Sequence, residues 1–204
     1  MENNSHYHFG VASGKIREEA IQLHRNRYLE VGFFEEGEVD PYEQDSLYFV
    51  ALEQNLNQVV GVTRLIFKPM EELPTLQNFE IYDIDLVRVN KLEKHRYAEM
   101  SAFTKLPKHE VGVHMIRTIL HYSNQNGITH WVACIDERVF RYLNRIFSSI
   151  FKEIGVPKVY LGSVSVPCIV ELPEAFKQIK EQRPKLFQFL QEADEQIMEV
   201  QIND

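Results

Sequence analysis

The run Tyr97-Ala98-Glu99-Met100-Ser101-Ala102-Phe103 constrains this chain most. Read as a strand, it places Tyr97, Glu99, Ser101 and Phe103 on one side of a sheet. A carboxylate and a hydroxyl two residues apart on that face can both reach a bound ligand. A loop follows over residues 104–112, and then an apolar-periodic helix from about Val113. A strand that leads through a loop to a helix start is a common way to hold an anion on backbone N–H groups. Spacing alone leaves another reading of Glu99 open, a carboxylate at a solvated sheet edge.

The remaining segments supply a sheet and its covering helices. Tyr7–Ala12 reads as a short strand ended by Gly14. Residues 15–31 have helical periodicity, with Ile16, Ala20, Leu23 and Arg27 on one stripe, and Gly32 closes the helix. Arg25 and Arg27 near its end suit the C-terminal dipole. Phe33-Phe34 begins an acidic loop over 35–45 that contains Asp40-Pro41-Tyr42-Glu43, and acidic loop runs are usually solvated. Ser46–Glu53 and residues 58–67 alternate, and Asn55-Leu56-Asn57 joins them as a β-hairpin. Arg64 lies in an otherwise apolar run. Such a residue is paired, faces a cavity, or sits at an edge with its head in water.

A turn-rich connection spans 69–74, and over 79–92 helix and strand compete. Val113, Ile116, Ile119 and Leu120 form a helical stripe stopped by Asn126-Gly127. Residues 128–135 read as a buried strand. Asp136 is a helix N-cap, and the core face of that helix reads Val139, Phe140, Leu143, Phe147 and Ile150. Strands are expected around 159–164 and 166–172, and a helix from Pro173 interrupted near Pro184. This order predicts an α/β (α+β) fold. A central mixed sheet is flanked by helices, with an extra C-terminal helix, in one domain over residues 1–204.

Composition narrows the function. The 204 residues, 44% hydrophobic and 25% charged, suit a globular domain with a buried core. No apolar run approaches the roughly 20 residues of a membrane span. The start, Met1-Glu2-Asn3-Asn4-Ser5-His6, lacks the basic and apolar regions of a secretory signal. Cys134 and Cys168 lie in apolar, strand-like runs and read as reduced core residues, so a cytoplasmic protein is expected. A net charge of −8 argues against nucleic-acid binding, and any anionic partner needs a local basic patch. Arg138, Arg141, Arg145 and Lys152 share one face of the helix after Asp136 and offer such a patch, or else a solvated face. Lys105 and Lys108 would extend it. His6 and His8 share a strand face without a third ligand, so no metal site is expected.

The chain resembles the GNAT-fold acyltransferases of the autoinducer-synthase group, and within it the N-acyl amino acid synthases. The resemblance rests on an ordered set of segments. His24-Arg25-Asn26-Arg27-Tyr28 with Val31-Gly32-Phe33-Phe34 is similar to the family's opening helix. Asp40-Pro41-Tyr42-Glu43 is like its acidic pair. Val60-Gly61-Val62-Thr63-Arg64-Leu65-Ile66 is like its Gly-x-x-Arg-Leu strand, and Glu99-Met100-Ser101-Ala102-Phe103 is like its Glu-x-Ser-Arg-Phe. Residues 159–167 look like the amino-acid synthase branch. Ala102 stands where lactone synthases carry an Arg, which points away from homoserine-lactone chemistry. Residues 105–113 supply only Gly112 of the usual pyrophosphate-binding pattern.

The resemblance implies a GNAT-like domain that transfers a long-chain fatty acyl group to the amine of an amino-acid-like acceptor. The donor is an acyl carrier protein or coenzyme A thioester, used as co-substrate, with no tightly bound cofactor. It implies Glu99 as general base, with Ser101 and Phe103 beside it and backbone N–H groups near Phe103 and Thr104 for the oxyanion. Arg64 would hold an acceptor carboxylate. Asp40 and Glu43 would position Arg25, Arg27 or the acceptor amine, with Phe34 beside them. Thr104, Lys105, Gly112, Val113, Arg138, Arg141 and Arg145 would meet the donor. Phe103, Trp131 and Phe147 line an acyl tunnel or are simply core. Two alternatives stand beside this reading: a short-chain acetyltransferase using acetyl-coenzyme A, and a non-catalytic module that binds an acyl ligand or carrier protein.

Overall fold

A computed structural model of the chain describes residues 6–90, 92, 96–192 and 199–200. The expectation of no leader segment falls mainly on residues 1–5, outside the described residues. The strands are β1 (Tyr7–Ala12), β2 (Ser46–Glu53), β3 (Gln58–Ile66), β4 (Tyr97–Lys105), β5 (His130–Asp136), β6 (Lys152–Glu153), β7 (Lys158–Tyr160), β8 (Ser163–Glu171) and β9 (Glu199–Val200). The helices are α1 (Gly14–Glu30), α2 (Pro74–Asn78), α3 (Asp83–Asn90), α4 (Gly112–Gln125), α5 (Glu137–Ile146), α6 (Leu172–Gln182) and α7 (Pro184–Gln191), with a 3₁₀ turn at Met70–Glu72. Two compact units form. One takes the described residues within 1–65, 101–122 and 193–204, the other those within 66–100 and 123–192.

In the first unit the strands run in the order β9-β1-β2-β3, with the C-terminal half of β4 beside β3. β1 and β2 are antiparallel from Tyr7↔Glu53 to Val11↔Phe49, and β9 joins β1 in parallel. Every residue from Val59 to Ile66 is buried, because helices cover both faces of β3. On one face Ile16 and Ala20 of α1 meet Tyr48, Val50, Leu52, Val59 and Val62. On the other, Val111 and Met115 of the α4 segment meet Ala51 and Val60. Gly61 permits this approach: a Cβ there would lie 2.6 Å from Met115 Sδ and 3.3 Å from Ala51 Cβ. The stripe expected on α1 is corrected at one position. Ile16, Ala20 and His24 are its buried residues, whereas Arg27 is exposed and pairs with Glu30 at 2.9 Å.

In the second unit the N-terminal half of β4 runs parallel to β5, from Tyr97↔His130 to Glu99↔Val132. β8 lies antiparallel to β5 from His130↔Glu171 to Asp136↔Ser165, and β6 and β7 both pair with β8. Parallel and antiparallel pairing are thus mixed, with helices on the sheet, as the element order predicts. Leu73, Val89, Leu92, Val132, Ile154 and Ile169 form the core of this unit. The ambiguous stretch 79–92 resolves into a bridge at Ile81↔Gly155 followed by α3. Val156 N–H donates to Glu80 O at 2.8 Å and Tyr82 N–H to Ile154 O at 2.9 Å, so two backbones lie in close contact at Gly155.

Three expectations change in this unit. α5 ends at Ile146 and buries only Leu143, while Val139 is exposed; Phe147 and Ile150 are buried from the segment after the helix. Lys152 lies in β6 rather than on the α5 face. The strand run expected at 159–164 is divided by a two-residue turn, Leu161-Gly162, both with positive φ (49° and 77°), so β7 and β8 form a hairpin there. The break at Pro184 separates α6 from α7, as expected. Among the described residues no helix is long and apolar enough to cross a membrane.

Candidate active site

Burying a polar group costs free energy unless a partner replaces water. The first unit buries four such groups together. His24 is fully buried on α1, Asp40 comes from the loop after α1, Arg64 from β3 and Tyr48 from β2. Arg64 Nη1 donates to Asp40 Oδ2 and, at 3.1 Å, to the Tyr48 hydroxyl. Tyr42 N–H donates to Asp40 Oδ1 at 2.9 Å, which ties the loop to the pair. His24 Nε2 lies 3.5 Å from Asp40 Oδ2, long for a hydrogen bond. Its ring packs edge-on against Tyr28 at 4.1 Å and Phe34 at 5.8 Å. Both His24 nitrogens and Arg64 Nε are buried with no hydrogen-bond partner among the described residues.

Electrostatics follow from this packing. Burial pulls His24 below the ordinary histidine range, against the opposing effect of Asp40. Burial alone would raise Asp40, but contact with His24 and the Arg64 charge outweigh it and hold the carboxyl well below its usual range. The structure therefore joins three residues singled out in the sequence, Phe34, Asp40 and Arg64. It leaves two others out. Arg25 Nη2 donates to Glu38 O at 2.5 Å on the surface, and Arg27 pairs with Glu30. Glu43 contributes its backbone carbonyl, which accepts from Arg17 Nη2 at 2.9 Å. His24 takes the inward place that the sequence reading gave to its neighbours. The signal was present as the i, i+4, i+8 series Ile16, Ala20, His24.

The second unit holds Glu99, which is 1% exposed and so not at a solvated edge. Its carboxylate accepts from Thr75 N–H on both oxygens, at 3.1 and 3.0 Å, and from the Thr75 hydroxyl at 2.8 Å. Cys134 lies close by on β5. Burial, reinforced by the Glu99 charge, pushes its thiol up to about 12. Burial likewise raises the Cys168 thiol. Neither cysteine is a thiolate near neutral pH, and both are free. Trp131 and Phe147 are at most 1% exposed and belong to the core rather than to an open wall.

Beyond Met100, β4 continues in the first unit. Ala102 has φ 57°, a left-handed residue inside a strand. Burial still alternates across it, with Ala102 and Thr104 inward and Ser101, Phe103 and Lys105 more open. Ser101 O accepts from Thr63 Oγ1 at 3.1 Å, and Thr104 is buried. Lys105 Nζ lies 3.9 Å from Glu110. α4 begins at Gly112, with Val113 next and no acidic residue in its first turn. A Cβ on Gly112 would meet the Phe103 ring at 3.7 Å, so the aromatic lies against the helix start.

α5 carries the arginine stripe in the second unit. Asp136 caps the helix, accepting from Arg138 N–H at 2.9 Å and Val139 N–H at 3.3 Å. Arg138 Nε contacts Asp136 at 3.3 Å, Arg141 contacts Glu137 at 2.5 Å, and Arg145 lies over the Tyr142 ring at 5.7 Å. Three arginines therefore face two carboxylates of the same segment, and the patch is less positive than its arginines alone suggest. Val139 and Tyr142 are exposed between them. Among the described residues no group of His, Cys, Asp and Glu is arranged to hold a metal ion.

Solved structures share this fold at low sequence identity. FeeM, an N-acyl amino acid synthase from uncultured soil microbes, superposes with a TM-score of 0.63 at 18% identity, over 84% of this chain and 94% of that one. The acyl-homoserine lactone synthase LasI gives 0.56 at 18% identity, over 81% and 89%. The coenzyme A-dependent acyl-homoserine lactone synthase BjaI gives 0.52 at 17% identity, over 85% and 77%. These likenesses identify a GNAT-like acyltransferase fold. No curated protein matches the chain by sequence. The sequence profile of the N-acyl amino acid synthase FeeM matches residues 19–170, well over half of the chain. With that match, the chain belongs to the FeeM family of N-acyl amino acid synthases, a family of N-acyltransferases.

Proposed function

We propose that this protein is a cytoplasmic enzyme that moves a long-chain fatty acyl group from an acyl-carrier-protein or coenzyme A thioester to an amino-acid-like amine. The observation that carries the reading is a set of buried nitrogens around Asp40, namely His24 Nδ1, His24 Nε2 and Arg64 Nε, that make no hydrogen bond among the described residues. Buried nitrogens without a hydrogen bond are rare, and the Arg64 guanidinium with the single N–H of a neutral His24 suits an acceptor bearing a carboxylate. Phe34 and Tyr28 beside His24 supply apolar contact for the acceptor.

In the proposed reaction the acceptor nitrogen attacks the thioester carbonyl directly. A C–N bond forms, the C–S bond breaks, and the proton lost by the amine passes to Glu99 and ends on the departing thiolate. Direct attack is supported by the raised thiols of Cys134 and Cys168, which disfavour a covalent acyl-enzyme. N–H groups near Phe103 and Thr104 would stabilise the oxyanion, at about 3–4 kcal/mol per donor. The start of α4, with Gly112 and Val113, and Lys105 would take donor phosphates. Arg138, Arg141 and Arg145 would meet an acidic carrier protein.

The test is a thiol-release assay across acyl-coenzyme A and acyl-carrier-protein donors of several chain lengths, with the common amino acids as acceptors. Amine-dependent thiol release with at least one long-chain donor is expected. Release only with acetyl-coenzyme A, or none, refutes the reading. Glu99→Gln is expected to lower turnover about 10²–10⁴-fold with donor affinity unchanged. Unchanged turnover would remove Glu99 from the base role.

A further inference from the structure

We infer that Thr75 is the positioning residue for the Glu99 carboxylate, an inference that rests on the base role proposed above. Thr75 is the second residue of α2 and is fully buried. Pro74 precedes it at the first helical position and has no N–H, and the N-cap Leu73 offers no side-chain cap. Thr75 therefore carries the first N–H of this turn. It points at a carboxylate 24 residues away on β4. One residue thus makes three donor contacts to Glu99, two on Oε1 and one on Oε2. Three contacts from a single rigid source fix both the place of the carboxylate and the rotation of its plane.

The source is rigid for reasons visible in the packing. Gln77 N–H donates to Leu73 O at 3.0 Å, Phe79 N–H to Thr75 O at 3.1 Å, and Asn78 Nδ2 to Pro74 O at 2.8 Å. Leu73 itself is locked in the core with Val132 and Ile169. A base held this way needs no reorganisation when the substrate arrives, and misplacement by a fraction of an ångström costs rate rather than binding. The charged form is also favoured by its donors, so the hydroxyl tunes the proton affinity of the carboxylate as well as its aim. Cys134 on β5 and Cys168 on β8 also lie within electrostatic reach of Glu99, and burial keeps both as neutral thiols.

Thr75→Val keeps the shape and the backbone N–H but deletes the hydroxyl, and Thr75→Ser keeps the hydroxyl. With hexadecanoyl-coenzyme A and hexadecanoyl-carrier protein as donors, Thr75→Val is expected to lower kcat about tenfold with donor KM within twofold. Thr75→Ser is expected to restore kcat. Carbon-13 NMR of glutamate-labelled protein, with the Glu99 carboxyl assigned by its loss in Glu99→Gln, supplies a readout without turnover. Its titration midpoint should move upward in Thr75→Val and return in Thr75→Ser. If Glu99→Gln abolishes turnover while Thr75→Val keeps kcat and midpoint at wild type, the positioning role is overturned and the base role stands. If Glu99→Gln keeps full turnover, the base role fails, and the Thr75 inference with it, even where the midpoint moves. A loss of thermal stability in Thr75→Val with unchanged kcat and midpoint leaves Thr75 a structural cap only, which also overturns the inference.

Discussion

Asp40→Asn isolates the energetics of the buried ion pair. The side chains of Arg64 and Asp40 are 4% and 2% exposed, so solvent screens neither. The amide keeps the volume of the carboxylate and, through its oxygen, the acceptor for Tyr42 N–H, while the charge is lost and an NH2 donor replaces the oxygen that faced Arg64. Arg64 then stays buried with the Tyr48 hydroxyl as its remaining acceptor. Leaving one buried charge uncompensated costs about 3–5 kcal/mol. For a chain of this size that corresponds to a fall in Tm of roughly 6–20 °C. Urea unfolding followed by far-ultraviolet circular dichroism gives the number directly. Arg64→Met in the same background withdraws the orphaned charge, and the double variant should regain most of the loss. A loss below about 1 kcal/mol in Asp40→Asn, or a double variant no more stable than the single one, would show that the pair is not effectively desolvated and refute the reasoning.

His24 gives a pH signature at the same site. Its folded-state pKa is depressed, so below about 6.5 the unfolded chain binds a proton that the fold refuses, and stability falls as pH falls. Asp40, also depressed, adds a second loss only below about pH 4. Equilibrium unfolding from pH 7.5 to 5 should therefore slope by up to about 1.4 kcal/mol per pH unit, and His24→Phe should flatten that window; an unchanged slope in the variant assigns it elsewhere. Gly155→Ala places a Cβ 2.2 Å from Glu80 O and should cost about 2–3 kcal/mol in urea unfolding, whereas Gly112→Ala, with its nearest contact at 3.7 Å, should be nearly neutral. Equal costs would mean that the Glu80–Gly155 contact yields freely. Reversing Arg141 and Arg145 to Glu should weaken carrier-protein binding most at low salt, in a titration at two ionic strengths; identical affinities would remove α5 from the docking surface.

The order of elements along the chain was legible because β2, β3, β5 and β8 are dense in apolar and β-branched residues, and Asn126-Gly127 and Pro184 stop helices by local chemistry. Asp136 was legible as a cap for the same reason. Local pattern failed where burial is decided from outside the segment. Val139 and Phe140 follow a core-like spacing, yet α5 is short and only Leu143 reaches the interior. The Leu161-Gly162 turn hides between two strand-like runs, with Gly162 and the following Ser163 as its signals. Among the candidate residues, Arg64 and Asp40 stood out by type, and Glu99 by its strand. Thr75 could not: its contact with Glu99 joins positions 24 apart, and no periodicity records such a pairing. His24 was not legible because a polar ring on an apolar stripe is as compatible with a helix edge as with the core, and its burial is decided by Tyr28, Phe34 and Asp40.

Trp131 is the only tryptophan of the chain, 1% exposed, with its indole N–H on Ser123 Oγ at 3.0 Å. Its emission is thus a local optical reporter of the unit formed by residues 66–100 and 123–192. Circular dichroism averages over every helix and strand. Where the two signals trace one denaturation curve, the units melt as a single cooperative block. Where fluorescence lags or leads, the chain is two thermodynamic bodies, and the residues proposed for catalysis and for holding the acceptor gain or lose their structure at different denaturant concentrations.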